Sequence, residues 1–121
     1  MGNPFVHVEL QSNDVAKARD FYSKLFEWKL EDMPMPDFGT YTMIGVGEGT
    51  GGGMLANPVP GAASHWLAYV GVDDIVAATK KAKQLGATVA VDVTPVTDMG
   101  WLSVIIDPSG ATLGLWQTKK P

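Results

Sequence analysis

Three side chains, His7, Glu9 and His65, offer most of the acid–base and metal-binding chemistry in this sequence. His7 and Glu9 lie two residues apart in the alternating run FVHVEL, so on an extended strand both point to the same face. A carboxylate beside an imidazole can set its tautomer and raise its pKa, which would make the two an acid–base pair. The alternatives are a salt bridge at a strand end and a hydrogen-bonded histidine that lines a core or a cavity.

His65 begins a second β-rich run, after the small residues Gly61, Ala62, Ala63 and Ser64. If that run faced the same hollow as the first, His7, Glu9 and His65 would form the two-histidine, one-carboxylate set that non-haem iron enzymes use. A surface or dimer-contact role is the plainer interpretation for a histidine that follows a linker.

Each histidine lies on a predicted strand that leads into a helix. Asp14 is predicted to cap the first helix, and Asp74 lies sixty residues later in front of the second. The apolar stripes of the two helices are related by the same interval, and comprise Val15, Ala18, Tyr22 and Leu25, and Ile75, Ala78, Ala82 and Leu85. The repeat predicts an α+β fold of two tandem βαβββ modules, since one module alone would bury too little of its sheet.

We expect one domain over residues 1–121, with module one at about 1–56, a linker at about 57–63 and module two at about 64–121. The strands should form a curved mixed sheet with the helices outside, and its inner side would be a cup for a small ligand. Within module one, Met33–Gly39 is predicted to be a loop because two prolines interrupt pairing there. A hairpin turn at about 46–51 should precede a strand through Gly53–Leu55.

Composition narrows the classes of function. The 121 residues carry a net charge of -4 without a basic stripe, which disfavours nucleic acid and anionic membranes as partners. Cysteine is absent, so thiol catalysis and zinc–thiolate sites are excluded. No apolar run approaches the roughly 20 residues of a membrane helix, and no secretory signal is apparent. A cytoplasmic location is therefore the expectation.

Several stretches together resemble the vicinal oxygen chelate superfamily, which includes glyoxalase I, extradiol dioxygenases and bleomycin-binding proteins. They are the strand HVEL, the helix DFYSKLF with Glu27 and Trp28 after it, the strand HWLAYVGVDD and the terminal DPSGATLGLWQ. The resemblance implies a homodimer and a cup that holds a divalent metal, such as Fe, Mn, Ni or Zn, through His and Glu side chains.

The metal-ligand positions that the resemblance implies hold unsuitable residues. They fall on His7, on its repeat mate Leu67, on Gly114 in the last strand and on Met54 as the mate of Gly114. Leucine and glycine side chains cannot bind a metal, and a thioether suits soft ions. One ligand of four is too few for a catalytic divalent site.

The sequence also predicts an apolar binding pocket. Tyr69, Trp101 and Trp116 are predicted to complete the cup, and Gly114 would deepen it by omitting a side chain. Packing in a core or an interface is the alternative for each of these residues. We therefore expect a metal-independent protein that binds a small, partly aromatic ligand in the cup. The alternative is a lyase or dioxygenase that uses a metal at His7, Glu9 and His65.

Overall fold

The computed structural model describes residues 2–35 and 39–120, and places two helices and eight strands there. In chain order they are β1 (Phe5–Ser12), α1 (Val15–Leu25), β2 (Lys29–Met35), β3 (Gly39–Gly45), β4 (Gly52–Ala56), β5 (His65–Gly71), α2 (Ile75–Gln84), β6 (Thr88–Val96), β7 (Gly100–Ile106) and β8 (Thr112–Thr118). Neither helix is long and apolar enough to cross a membrane, among the residues described.

The chain divides into two compact units. The first unit comprises residues 7–67, and the second comprises residues 68–120 together with the first residues of the chain up to Val6. In the first unit the strand order is β2-β3-β4-β1, with β1 and β4 parallel and the other pairs antiparallel. In the second unit the order is β5-β8-β7-β6, with β5 and β8 parallel. The predicted α+β class is confirmed, whereas a cup shared by both halves stays a prediction.

Each helix begins at the aspartate that the sequence indicated. The Asp14 carboxylate accepts from the Lys17 N–H at 3.0 Å, and the Asp74 carboxylate accepts from the Ala77 N–H at 3.0 Å. Each bond satisfies one first-turn N–H that has no partner within its helix.

The core of the first unit lies between its strands and α1. Leu10, Ile44 and Met54 form its buried centre, and the helix stripe of Val15, Ala18 and Tyr22 packs against it. Successive strand residues point to opposite faces, so His7, Glu9, Tyr41 and Met43 fall on the other side. We term that side the distal face of the first unit.

The second unit repeats this arrangement. Ile75, Ile105 and Leu115 form its buried centre, and Ala78 and Ala82 of α2 pack against them. Its distal face, defined by the same alternation, carries Tyr69, Leu102, Gly114 and Trp116.

The loop predicted at Met33–Gly39 is wrong over Met33–Met35, which belong to β2, and at Gly39, which begins β3. Pro34 pairs with Thr40 there, and β2 is the outermost strand of the first unit in the strand order. An edge strand tolerates proline because one of its sides need not donate to a ladder. Residues 36–38 of the predicted loop lie outside the described residues. The hairpin is confirmed, since β3 ends at Gly45 and β4 begins at Gly52.

Candidate functional site

A chain of hydrogen bonds crosses the distal face of the first unit. The His7 Nε2 atom lies 2.6 Å from the Tyr41 hydroxyl oxygen, and the Tyr41 hydroxyl donates to Glu9 Oε1 at 3.0 Å. The Gln11 side-chain amide donates to the other Glu9 oxygen at 2.9 Å. Tyr41 therefore bridges the imidazole and the carboxylate that the sequence placed on one face.

Strand register and a glycine bring these groups together. Gly53 of β4 pairs with Glu9 on one side and with Met43 on the other, so it lies between β1 and the strand that carries Tyr41. A Cβ atom at Gly53 would stand 2.1 Å from Tyr41 Cε2. Since real Cβ atoms do not approach a ring that closely, the missing side chain is what lets Tyr41 lie across β4 toward His7 and Glu9.

The polar cluster is largely buried, and burial favours the uncharged form of His7. Glu9 and Tyr41 are 8% and 9% exposed, and their hydrogen bonds compensate for the loss of water around them. Burial lowers the pKa of His7 below its usual 6.5, and the negative charge of Glu9 opposes this only partly. At neutral pH the imidazole is therefore uncharged.

Methionines flank the polar cluster on the same face. Met33 pairs with Tyr41 across β2 and β3, and Met43 follows Tyr41 by two residues, so both share its side of the sheet. Both are half-buried. Thioether side chains adapt their shape to flat or irregular ligands, so a polar cluster beside them suits a ring that carries a polar substituent.

The distal face of the second unit is more apolar. Tyr69 pairs with Gly114 across the parallel strands β5 and β8, and a Cβ at Gly114 would stand 2.4 Å from Tyr69 Cδ2. The prediction that Gly114 deepens a pocket is therefore wrong, because the Tyr69 ring fills that space. Trp116 is half-buried on this face, pairs with Leu102 and donates through its indole N–H to Thr118 at 2.9 Å.

Three other predicted site residues offer little surface on either distal face. Met54 is fully buried in the core against α1, because Gly53 rather than Met54 takes the register position that matches Gly114. Trp101 packs into the core against α2, since its neighbour Leu102 takes the distal side. Leu67 is 3% exposed and offers almost no surface to a ligand.

The alternative metal site, predicted from His7, Glu9 and His65, is not formed. The His65 Nδ1 atom contacts the backbone oxygen of Ala63 at 2.8 Å, so the end of a linker holds this imidazole. Within residues 2–35 and 39–120, no three His, Cys, Asp or Glu side chains are placed to hold a metal ion. His7 and Glu9 are instead joined through the Tyr41 hydroxyl, a donor set that does not fit the divalent ion of the superfamily.

A second polar group lies on the helix side of the first unit. Arg19 forms an ion pair with Asp32, and Thr42 donates to the same carboxylate at 2.8 Å. The Thr42 hydrogen bond and then the Arg19 hydrogen bond hold the pKa of Asp32 below its usual range. An open cavity of about 500 Å³ adjoins Arg19 and Trp28. Arg19 is already paired with a carboxylate. This cavity should therefore bind an anionic ligand more weakly than it would if the guanidinium were free.

Tyr41 is the site residue that sequence reasoning missed. The sequence offered one indication of its role. Tyr41 lies in a β-rich run, two residues before Met43, and the glycine triplet Gly51–Gly53 comes after that run. A glycine beside a tyrosine in strand register indicates a ring that lies across the neighbouring backbone, but the register is known only from the fold.

The sequence model of the Glyoxalase/Bleomycin resistance protein/Dioxygenase superfamily matches residues 5–115. The chain belongs to this superfamily. Over 117 residues it is 34% identical to "Putative glyoxylase CFP32" of Mycobacterium tuberculosis, an alignment that covers 93% of this chain and 45% of that protein. It is 30% identical over 128 residues to the anthracycline biosynthesis protein DnrV of Streptomyces peucetius, covering 90% of this chain and 45% of DnrV. The chain thus spans less than half the length of these relatives.

Solved structures share the fold at low identity. A hypothetical protein, BH1468 from Bacillus halodurans, superposes with a TM-score of 0.77 at 17% identity, covering 100% of this chain and 98% of that one. Methylmalonyl-CoA epimerase from Mycobacterium tuberculosis superposes with a TM-score of 0.72 at 16% identity, covering 97% and 88%. At these identities the similarity concerns the fold, and the activity has to be argued from the site.

Proposed function

We propose that this protein binds a small, partly aromatic molecule on the distal face of its first unit, without a divalent metal. The observation that carries the proposal is the Tyr41 hydroxyl, which is hydrogen-bonded to both His7 and Glu9. His7 and Glu9 are the side chains of this face best suited to bind a metal. Here both are hydrogen-bonded to Tyr41 instead. A ligand would rest against Met33 and Met43 and direct a polar substituent toward the cluster.

Relatives named for anthracycline biosynthesis support a ring-containing ligand. The relatives named as glyoxylases favour the second candidate, a lyase that uses a metal at His7. A cytoplasmic location and a homodimeric state remain predictions.

The methionines allow a direct test of the binding face. With methionine methyl groups labelled with carbon-13, 2-naphthol should shift the Met33 and Met43 signals and leave that of Met54, which is fully buried against α1, unchanged. Shifts at Met54 alone, or none at any methionine, would overturn the proposed binding face.

Metal content separates the two candidate functions. Purified protein dialysed against Zn²⁺, Mn²⁺ or Ni²⁺ should retain less than stoichiometric metal and melt at the same temperature with and without a chelator. One equivalent of metal that is lost in His7→Ala would support the lyase and contradict the metal-independent binder.

A further inference from the structure

A cluster of aromatic rings lies on the helix side of the first unit. Tyr22 is at its centre, with ring-centroid distances of 5.0 Å to Phe21, 5.5 Å to Trp28 and 5.5 Å to Trp66. Phe26 adds to the cluster at 4.8 Å from Trp28. Phe21, Phe26 and Trp66 are 56%, 45% and 40% exposed, so the cluster continues from the core to the surface. We term its exposed part the aromatic patch, which consists of Phe21, Leu25, Phe26 and Trp66.

The second unit shows that the fold does not require these aromatic side chains. The sixty-residue interval of the repeat leads from the rings between Phe21 and Trp28 to Lys81, Ala82, Gly86 and Thr88. None of these is aromatic, and the second unit nevertheless forms its helix and its core. Because an apolar surface gains little stability while it remains in water, the aromatic patch indicates a contact outside the chain.

The area of the aromatic patch suits the centre of a protein interface. An aromatic side chain has about 150–250 Å² of surface, so three rings exposed to this degree present roughly 200–350 Å². Leu25 extends this surface by one more exposed apolar side chain. A stable dimer buries about 800 Å² on each partner, with an apolar centre and a polar rim. The aromatic patch supplies such a centre, and the charged residues of α1 can supply the rim.

The charges along α1 are complementary to those of a second, antiparallel copy. Lys17 and Glu27 lie five residues before and after Tyr22, and Asp20 and Lys24 lie two residues before and after it. All four charged residues are exposed. Reversing the direction of this segment about Tyr22 therefore places a lysine opposite a carboxylate at each of the four positions, as a two-fold axis would. Asp20 and Lys24 already form an ion pair within α1, and two copies would join these pairs into a network.

We propose that two copies of this chain associate through the aromatic patch, with their α1 helices antiparallel about a two-fold axis near Tyr22. The rings are withdrawn from water at the centre of the contact, and the charges pair at its rim. Each chain carries a net charge of -4, so two copies repel each other except where the local charges balance, as they do along α1. The aromatic patch lies on the helix side, so this proposal does not depend on the ligand of the distal face.

Two exposed leucines related by the repeat, Leu25 and Leu85, provide a matched pair of variants. In analytical ultracentrifugation, the full chain should sediment as a dimer at about 100 µM. Leu25→Lys places a charge in the aromatic patch and should weaken dimerisation at least about tenfold. Leu85→Lys makes the same change in the second unit and should leave dimerisation unchanged. A wild-type chain that stays monomeric, or a dimer that Leu85→Lys weakens as much as Leu25→Lys does, would overturn the proposal.

Charge reversal tests the antiparallel arrangement, and it decides the question even if Leu25→Lys does not fold. Asp20→Lys leaves only positive charges at residues 20 and 24, and Lys24→Asp leaves only negative ones. Each variant should dimerise more weakly than wild type, because like charges then face each other across the axis. An equimolar mixture of the two should form mixed dimers about tenfold more tightly than either variant pairs with itself, and added salt should reduce this preference.

Two results of the mixing experiment would contradict the proposal. Mixed dimers that form no more readily than dimers of one variant would exclude an antiparallel contact about Tyr22. A monomer in which 2-naphthol shifts the indole N–H signal of Trp66 would assign the aromatic patch to a small ligand, and so overturn the pairing of two copies.

Discussion

The Tyr41 ring lies across Gly53, so close that a Cβ at residue 53 would stand 2.1 Å from Tyr41 Cε2. Gly53→Ala should therefore displace the ring, break its hydrogen bonds to His7 and Glu9, and lower the free energy of unfolding by about 1–3 kcal/mol. Gly45→Ala is the matched control on β3, because its Cβ would meet nothing closer than 3.6 Å. Urea denaturation of the two variants measures the difference, and equal stabilities would contradict this account of Gly53.

The buried imidazole predicts a pH dependence of stability. Because burial lowers the pKa of His7 below 6.5, the unfolded chain takes up a proton at a higher pH than the folded protein does. Stability should therefore fall as the pH drops from about 7.5 through the unfolded pKa, and level off below the folded pKa.

Denaturation at pH 7.5 and pH 5.5 measures this effect when His7→Gln is compared with wild type. The loss should be smaller in His7→Gln than in wild type. Carboxylates remote from residue 7 are common to both proteins, so their contribution cancels in the comparison. A loss of the same size in His7→Gln as in wild type would exclude His7 as its source.

Two methionines of the first unit should respond differently to truncation. Met54→Ala removes a fully buried side chain from the core and should cost about 2–5 kcal/mol of unfolding free energy. Met33→Ala affects a half-buried residue of the distal face and should cost less than about 1 kcal/mol while weakening the binding of 2-naphthol. Thermal denaturation and calorimetry would test both. The opposite order of stabilities would contradict the placement of Met54 on the helix side.

Two adjacent aspartates, Asp73 and Asp74, precede α2, and replacing each in turn distinguishes the capping residue from its neighbour. Asp74 accepts from the Ala77 N–H, so Asp74→Ala should lower stability by about 1 kcal/mol. Asp73→Ala changes the preceding residue and should stay within about 0.5 kcal/mol of wild type. If denaturation curves showed a larger loss of stability in Asp73→Ala than in Asp74→Ala, the assignment of the cap to Asp74 would be wrong.

Local chemistry made the first and second helices predictable. A capping aspartate and an apolar stripe act within one or two turns, so Asp14 and Asp74 were identified without any tertiary contact. The effect of a proline on strand pairing depends more on tertiary context. Pro34 was expected to end pairing, and it is accommodated because β2 is the outermost strand of its unit, which the sequence could not show.

The sequence by itself determined the α+β class, the sixty-residue repeat and the shared face of His7 and Glu9, because periods of two and 3.6 residues are local properties of a chain. Only the tertiary structure decided that Tyr41 joins those two side chains, that Gly53 and not Met54 is the counterpart of Gly114, and that Trp101 faces the core. Each of these depends on the register between strands distant in sequence, where a shift of one residue exchanges the two faces of a sheet.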